Sequence, residues 1–239
     1  MKKMNVFDLM IAPNVCDQML REVVRTEQMS IAHVTMNPGD SSQRHFHNKM
    51  KEVYMITRGY GALSLEGDTF IVMSGVCTKI EQGNVHGLQN SAMTSFEHLV
   101  LASPTFDPAD VEMESVIDWR SGRLIQSRLP PIVDCFDGAK IISYEYPGLG
   151  VSLAMGWVMN DPERRKKPHY HKKTTEWIYV VEGRGEIVVN GVEHIVRHGS
   201  WITVEPGERH ALRCFAREYM VVVCICTPQF QEDDVFTDQ

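Results

Sequence analysis

The chain has 239 residues, a formal charge of −7, and 43 % hydrophobic against 23 % charged residues, an ordinary globular balance. That length holds one large or two small domains with a real core. The acidic balance, with no basic run interleaved with aromatics, argues against nucleic acid as a partner. No apolar run is long enough for a membrane helix, so no membrane span is expected.

In chain order, "MKKMNVFDLMIAPNV" begins basic, but Asp8 and Pro13 break its apolar stretch, which makes a poor signal peptide. The segment "CDQMLREVVRT" is read as a strand. "MSIAHVTM", "EVYMITRG", "GALSLEG", "FIVMSG" and "HLVLAS" follow, each short, apolar or β-branched, and punctuated by Gly, Asn or Asp. Residues 107–131 lack clear alternation and end in Pro-Pro, so they read as a connection with room for a short helix. The second half repeats the pattern with "VSLAMGWVM", "EWIYVVEG", "GEIVVNG", "EHIVRHG", "SWITVEPG" and "YMVVVCICTP". Asn190-Gly191 is a strong hairpin signal. Short strands at regular spacing indicate an all-β sandwich or barrel. The six cysteines show no CxxC spacing and are expected to be reduced thiols of a cytoplasmic protein.

Sliding the chain on itself by 124 residues exposes an internal repeat. His45, His47, Glu52 and His86 fall on His169, His171, Glu176 and His210. Gly59, Gly75 and Gly83 fall on Gly183, Gly199 and Gly207, and Pro104-x-Phe106 falls on Pro228-x-Phe230. Between 29–113 and 153–237 about 21 of 85 positions are identical without a gap. The division expected is 1–118 and 119–239.

Residues i and i+2 of a strand share a face, so His45 pairs with His47 and His169 with His171. Glu52 lies an odd step from His47. A straight strand would aim it at the opposite face, so "NKMK", and "KKTT" in the second copy, must bend the chain if all three converge. His86 and His210 arrive from later strands, and a small barrel can point all four inward. Three imidazoles and a carboxylate suit a borderline divalent transition metal: Fe, Mn, Ni, Co, Cu or Zn. Structural zinc usually prefers thiolates. On an octahedral ion four protein ligands leave two open positions, as a catalytic metal requires. One His-x-His alone is as compatible with a decorated surface strand. Two full sets in one register are not.

"HFHNKMKEVYMITRG" with "GVCTKIEQGNVHGLQN" resembles the two motifs of the cupin superfamily, and "HYHKKTTEWIYVVEG" with "GSWITVEPGERHALRC" does so again. The resemblance covers nearly the whole chain and implies two tandem double-stranded β-helix (jelly-roll) domains, a bicupin. It implies one metal per intact His3Glu set, up to two per chain. Glu81 and Glu205 replace the usual proline of the second motif, and Cys214 replaces its terminal Asn. None of these is a ligand position.

Among the remaining candidates, Tyr54 and Tyr179 follow the glutamates and are read as acid/base or hydrogen-bonding groups. Arg164, Arg165, Lys166, Lys167, Arg209 and Arg213 cluster near the second site, either for an anionic substrate or as a solvated loop. Alternation puts Arg213 on the face away from His210. Arg44 and Arg58 stand near the first site. His33 and Trp157 read as pocket mouth or packing, and Met36, Met50, Met55 and Met73 as cavity padding or core. The expected function is a metal-dependent enzyme acting on a small oxygenated, anionic substrate. Dioxygenase-type and isomerase, cyclase or lyase chemistry are both open, and a non-catalytic metabolite- or sugar-binding cupin is the alternative. A homodimer is expected by analogy with related β-sandwich domains.

Overall fold

The β-branched and aromatic residues that alternate along this chain favour extended backbone, because their side chains pack well on a pleated surface. The computed structural model describes every residue except 15, 17, 115–121, 136, 161–166, 216–218 and 238–239. It is built almost wholly of strands, with four single-turn 3-10 helices among the described residues. "CDQMLREVVRT" does supply a strand, Met19–Arg25.

The chain divides into two compact units. One is Leu9–Leu129. The other is Met1–Asp8 together with Pro130–Gln239. The sequence reading set a division at 118/119 and kept residues 1–8 in the first half. Part of the expected connection is instead folded. Val111–Met113 pairs antiparallel with His45–His47, and Leu124–Gln126 pairs parallel with Asp68–Met73. The short helix allowed for in this stretch is the 3-10 turn Pro108–Asp110. Lys2–Asn5 forms the edge of a sheet of the second unit, antiparallel to Ser200–Val204.

In the unit Leu9–Leu129 a five-stranded sheet runs Met19–Arg25, Ser30–Met36, Phe96–Ser103, Lys51–Arg58, Cys77–Ile80. A six-stranded sheet runs Val111–Met113, His45–His47, His86–Gln89, Tyr60–Leu65, Asp68–Met73, Leu124–Gln126. Val34, Met36, Tyr54, Ile56 and Phe96 of the first sheet pack with Leu63, Val72 and Leu88 of the second in one buried cluster. The two sheets are therefore the faces of a sandwich, each buried aliphatic contributing roughly 1.5–3 kcal/mol.

The other unit repeats the plan. A seven-stranded sheet runs Lys2–Asn5, Ser200–Val204, Thr175–Glu182, Tyr219–Thr227, Val151–Met159, Lys140–Tyr146, Val133–Asp134. A five-stranded sheet runs Val192–Arg197, Arg184–Val189, His210–Cys214, His169–His171, Val235–Thr237. Val158, Ile178, Val180 and Val222 meet Ile187, Val196 and Leu212 in its core. Both units are jelly rolls.

Candidate metal centres

The bend expected in "NKMK" falls between His45–His47, which belongs to the six-stranded sheet, and Lys51–Arg58, which belongs to the five-stranded one. The chain crosses the sandwich there. The odd step from His47 to Glu52 is thus no conflict, because Glu52 faces the histidines from the opposite sheet. Thr175–Glu182 and His169–His171 are related in the same way in the second unit. His86 stands directly across from His45, and His210 across from His169.

Each turn before the fourth ligand is pinned to the strand that carries the first two. Gly83 N–H donates to the His47 carbonyl at 2.7 Å and Gly207 N–H to the His171 carbonyl at 2.6 Å. Both glycines have left-handed φ, +77° and +84°, which a side chain would disfavour.

In each unit one atom from each of the four side chains lies within 4.8 Å of the others: His45, His47, Glu52 and His86, then His169, His171, Glu176 and His210. Ligand atoms held about 2.1 Å from one ion lie roughly 3–4.2 Å apart, so the cages have the right scale. Orientation fits as well. All six imidazoles aim Nδ1 at a main-chain carbonyl: His45 at Gln43 (2.8 Å), His86 at Asn84 (2.9 Å), His210 at Glu208 (3.0 Å), His171 at Asp234 (3.1 Å), His169 at Lys167 (3.3 Å) and His47 at Asp110 (3.4 Å). With Nδ1–H donating there, Nε2 carries the lone pair that faces the cage. His47 Nε2 is buried without a hydrogen bond, an orphan that an ion would satisfy. The residues present fit a divalent transition metal at both places.

The electrostatics treat the ligands differently: against the cost of burial, Glu52 raises His47 and Glu176 raises His210 above the usual histidine range. Burial, then the charge of His86, lowers His45 to about 4; burial, then His210, lowers His169 to about 4. Both therefore stay neutral and ready to ligate. Burial opposes ionisation of Glu52, but the imidazoles of His47 and His86 outweigh it and hold the carboxyl far below its usual range. Against the same burial cost, His210 and its neighbours hold Glu176 at about 2.

The two centres differ in their surroundings. At the first, all four ligands are at most 4 % exposed, and Cys16 Sγ lies 3.5 Å from both ring nitrogens of His45. Burial, then Glu52, pushes that thiol up to about 12. At the second, His169 is only half-buried, and the four ligands line a cavity of about 740 Å³. Ile141, Leu153, Ile178, Val222 and Phe230 supply apolar wall, Lys167 a positive charge, and Cys135, Cys224 and Cys226 thiols.

Of the two tyrosines, Tyr54 points into the sandwich, its ring 5.7 Å from that of His86. Tyr179 does not reach the second cage. Its neighbours Ile178 and Val180 face the core, so Tyr179 lies on the outer face against Trp201, ring centroids 6.3 Å apart. Repeat position 54 corresponds to Ile178, not Tyr179.

Arg164, Arg165 and Lys166 lie outside the described residues. Arg213 points away from the cage, bonded to Glu186 at 2.7 Å. Arg209 N–H donates to Asn190 Oδ1. Arg44 pairs with Glu114 and Arg58 with Glu97. His33 is buried against Glu97, and Trp157 is next to core-facing Val158, so neither lines the cavity. Met36, Met50 and Met55 are core, and Met73 packs against it.

Sequence reasoning missed four residues. Cys16 carries no motif, and neither does His98, which is fully buried beside Tyr54 with both ring nitrogens unbonded. Asp110 and Asp234 are the other two. They are identical across the 124-residue offset, but in a stretch read as connection in the first half.

Two cages of three histidines and a glutamate, each inside a jelly roll, define a two-domain metal-binding cupin. The cupin domain family model matches residues 32–101 and 156–226, more than half of the chain, and the chain belongs to that family. No curated protein sequence is significantly similar to it. Among solved structures, oxalate decarboxylase of Bacillus subtilis at pH 4.6 is 15 % identical, with a TM-score of 0.67 over 98 % of this chain and 78 % of that one. An arginine-to-alanine mutant of the same enzyme is 16 % identical, TM-score 0.66, with the same coverage. A third structure, from work on the Mn(II) centres of that enzyme, is 14 % identical with a TM-score of 0.66, again over 98 % and 78 %. At this identity the likeness is one of fold.

Proposed function

We propose that the protein is an enzyme whose turnover takes place at the C-terminal centre, on a small organic acid that chelates through oxygen and carries an apolar body. The observation that carries this reading is the cavity of about 740 Å³ opening on His169, His171, Glu176 and His210. Cavities of that size accommodate substrate-sized molecules. A divalent ion held by these four residues supplies Lewis acidity to a chelated oxygen. Three neutral imidazoles and one carboxylate leave a net positive charge there, which in a buried setting favours an anionic ligand. Lys167 adds to that preference, and the aliphatic wall of Ile141, Leu153, Ile178 and Val222 takes the apolar body while excluding water.

Of the two reaction classes, isomerase- or lyase-type chemistry is favoured by the wall itself. Cys135 and Cys224 line the same cavity and are only partly buried, and accessible thiols beside a centre that activates oxygen are prone to oxidation. The N-terminal centre, enclosed and covered on one side by Cys16, serves structure in this reading. The same reading takes the protein as a cytoplasmic homodimer, which light scattering of the purified protein checks.

The test is a screen of small carboxylic and hydroxy acids with the metal-loaded protein, under air and under nitrogen. Conversion without oxygen uptake, abolished by His171→Ala but retained by His47→Ala, is the expected result. Conversion that stops under nitrogen moves the protein to the dioxygenase class. Binding of acids without conversion makes it a metabolite-binding cupin.

A further inference from the structure

Asp110 and Asp234 occupy the same place in the two units, at the end of a 3-10 turn after the last long strand. Each is almost fully buried, and each acts with two different parts. The carboxylate accepts hydrogen bonds from three successive main-chain N–H groups of the bend between the second histidine and the glutamate. For Asp110 these are residues 48, 49 and 50 at 3.0–3.2 Å. For Asp234 they are 172, 173 and 174, also at 3.0–3.2 Å, with the Thr174 hydroxyl adding a fourth at 2.9 Å. The main-chain carbonyl of the same residue takes Nδ1–H of the second histidine, at 3.4 Å for His47 and 3.1 Å for His171.

We infer that Asp110 and Asp234 are the positioning residues of the two metal centres. One residue sets both the ring orientation of the second histidine and the bend that carries the chain to the glutamate on the opposite sheet. The bend needs such a partner. It lies between strands of two different sheets, so its N–H groups are outside either ladder, and groups left unbonded inside the protein are costly. An ionised carboxylate is the acceptor that can take three or four at once. The bonded N–H groups in turn favour its ionised form against the cost of burial, so Asp110 and Asp234 titrate below the usual range. Two ligands of each cage, the second histidine through the main-chain carbonyl and the glutamate through the bend that the carboxylate holds, thus depend on one residue that touches no metal. In the C-terminal unit the following residues Val235 and Thr237 also line the cavity, so the clasp and the substrate wall are one segment.

The experiment titrates Mn(II) into metal-free full-length protein and follows free Mn(II) by its paramagnetic resonance signal. His47→Ala isolates the C-terminal site for the Asp234 variants, and His171→Ala isolates the N-terminal site for the Asp110 variants. Asp234→Ala is expected to weaken the C-terminal site about 10- to 100-fold, the range for outer partners of metal ligands, and Asp110→Ala to do the same at the N-terminal site. Each is expected to leave the other site unchanged. Asp234→Asn keeps one acceptor oxygen and is expected to fall between, which guards against an alanine variant that fails to fold. The inference is overturned if the variants lower the melting temperature of the metal-free protein yet leave Mn(II) affinity within about threefold, since the aspartates would then be purely structural. It is overturned equally if both sites weaken together in each variant, or if the unaltered chain takes up no Mn(II).

Discussion

Removing the metal is expected to unfasten the two sheets of each sandwich. In the N-terminal unit three ligands stand on the six-stranded sheet and Glu52 on the five-stranded one; in the other unit three stand on the five-stranded sheet and Glu176 on the seven-stranded one. An ion in either cage ties one sheet to the other, and the unfolded chain offers no such site. At free metal a thousandfold above its dissociation constant, that linkage stabilises a unit by about 4 kcal/mol. For a unit of roughly 120 residues, about 4 °C per kcal/mol gives a fall in melting temperature of about 15 °C when a chelator strips the ion. Scanning calorimetry of the unaltered protein, His47→Ala and His171→Ala, each with and without chelator, measures it. The unaltered protein should show the shift in both units, and each variant in one only. A chelator shift below about 3 °C, or a His171→Ala protein that still binds two metals, refutes the reasoning.

Acid is expected to release the metal through the histidines. In the metal-free protein His45 and His169 titrate near 4, below the roughly 6.5 of an unfolded chain, so between these values the unfolded chain binds protons that the folded one refuses. The contribution of His45 and His169 is complete above about pH 6.5 and is lost as pH drops towards 4, whereas His47 and His210, raised against burial by Glu52 and Glu176, contribute in the opposite sense. Metal affinity falls with acid at every histidine because the added proton lands on Nε2, and full metal content after dialysis at about pH 4.5 would contradict this. The two tyrosines should separate cleanly. Burial and the neighbouring Glu52 carboxylate hold the Tyr54 hydroxyl protonated beside the first cage, so Tyr54→Phe should weaken the N-terminal site by roughly 1 kcal/mol, about fivefold, whereas Tyr179→Phe should leave Mn(II) affinity at both sites unchanged in the same titration.

The cages were legible because their chemistry is periodic. His45 and His47 share a strand face by alternation alone, and the copy at an offset of 124 residues removes the reading of chance. What was not legible depends on partners distant in sequence. Lys2–Asn5 has too short a pattern to announce itself, and its partner strand lies about 200 residues away. Asp110 acts on main-chain N–H groups, which every residue but proline possesses, so no side-chain motif reveals its target. Tyr179 was misjudged by one step of alternation: the repeat equates Tyr54 with Ile178, and a one-residue shift in a strand exchanges its faces.

The edge strand Lys2–Asn5 also sets a schedule. During synthesis it leaves the ribosome about 200 residues before the strand it joins, Ser200–Val204. The unit Leu9–Leu129 can fold in the interval, while Lys2–Asn5 stays without its partner until the sheet it joins has been made. That early segment is short and carries two lysines, features that discourage pairing with the wrong edge while it waits. A fusion partner placed ahead of it would therefore act on the unit that holds the open metal centre, not on the unit that follows it in sequence.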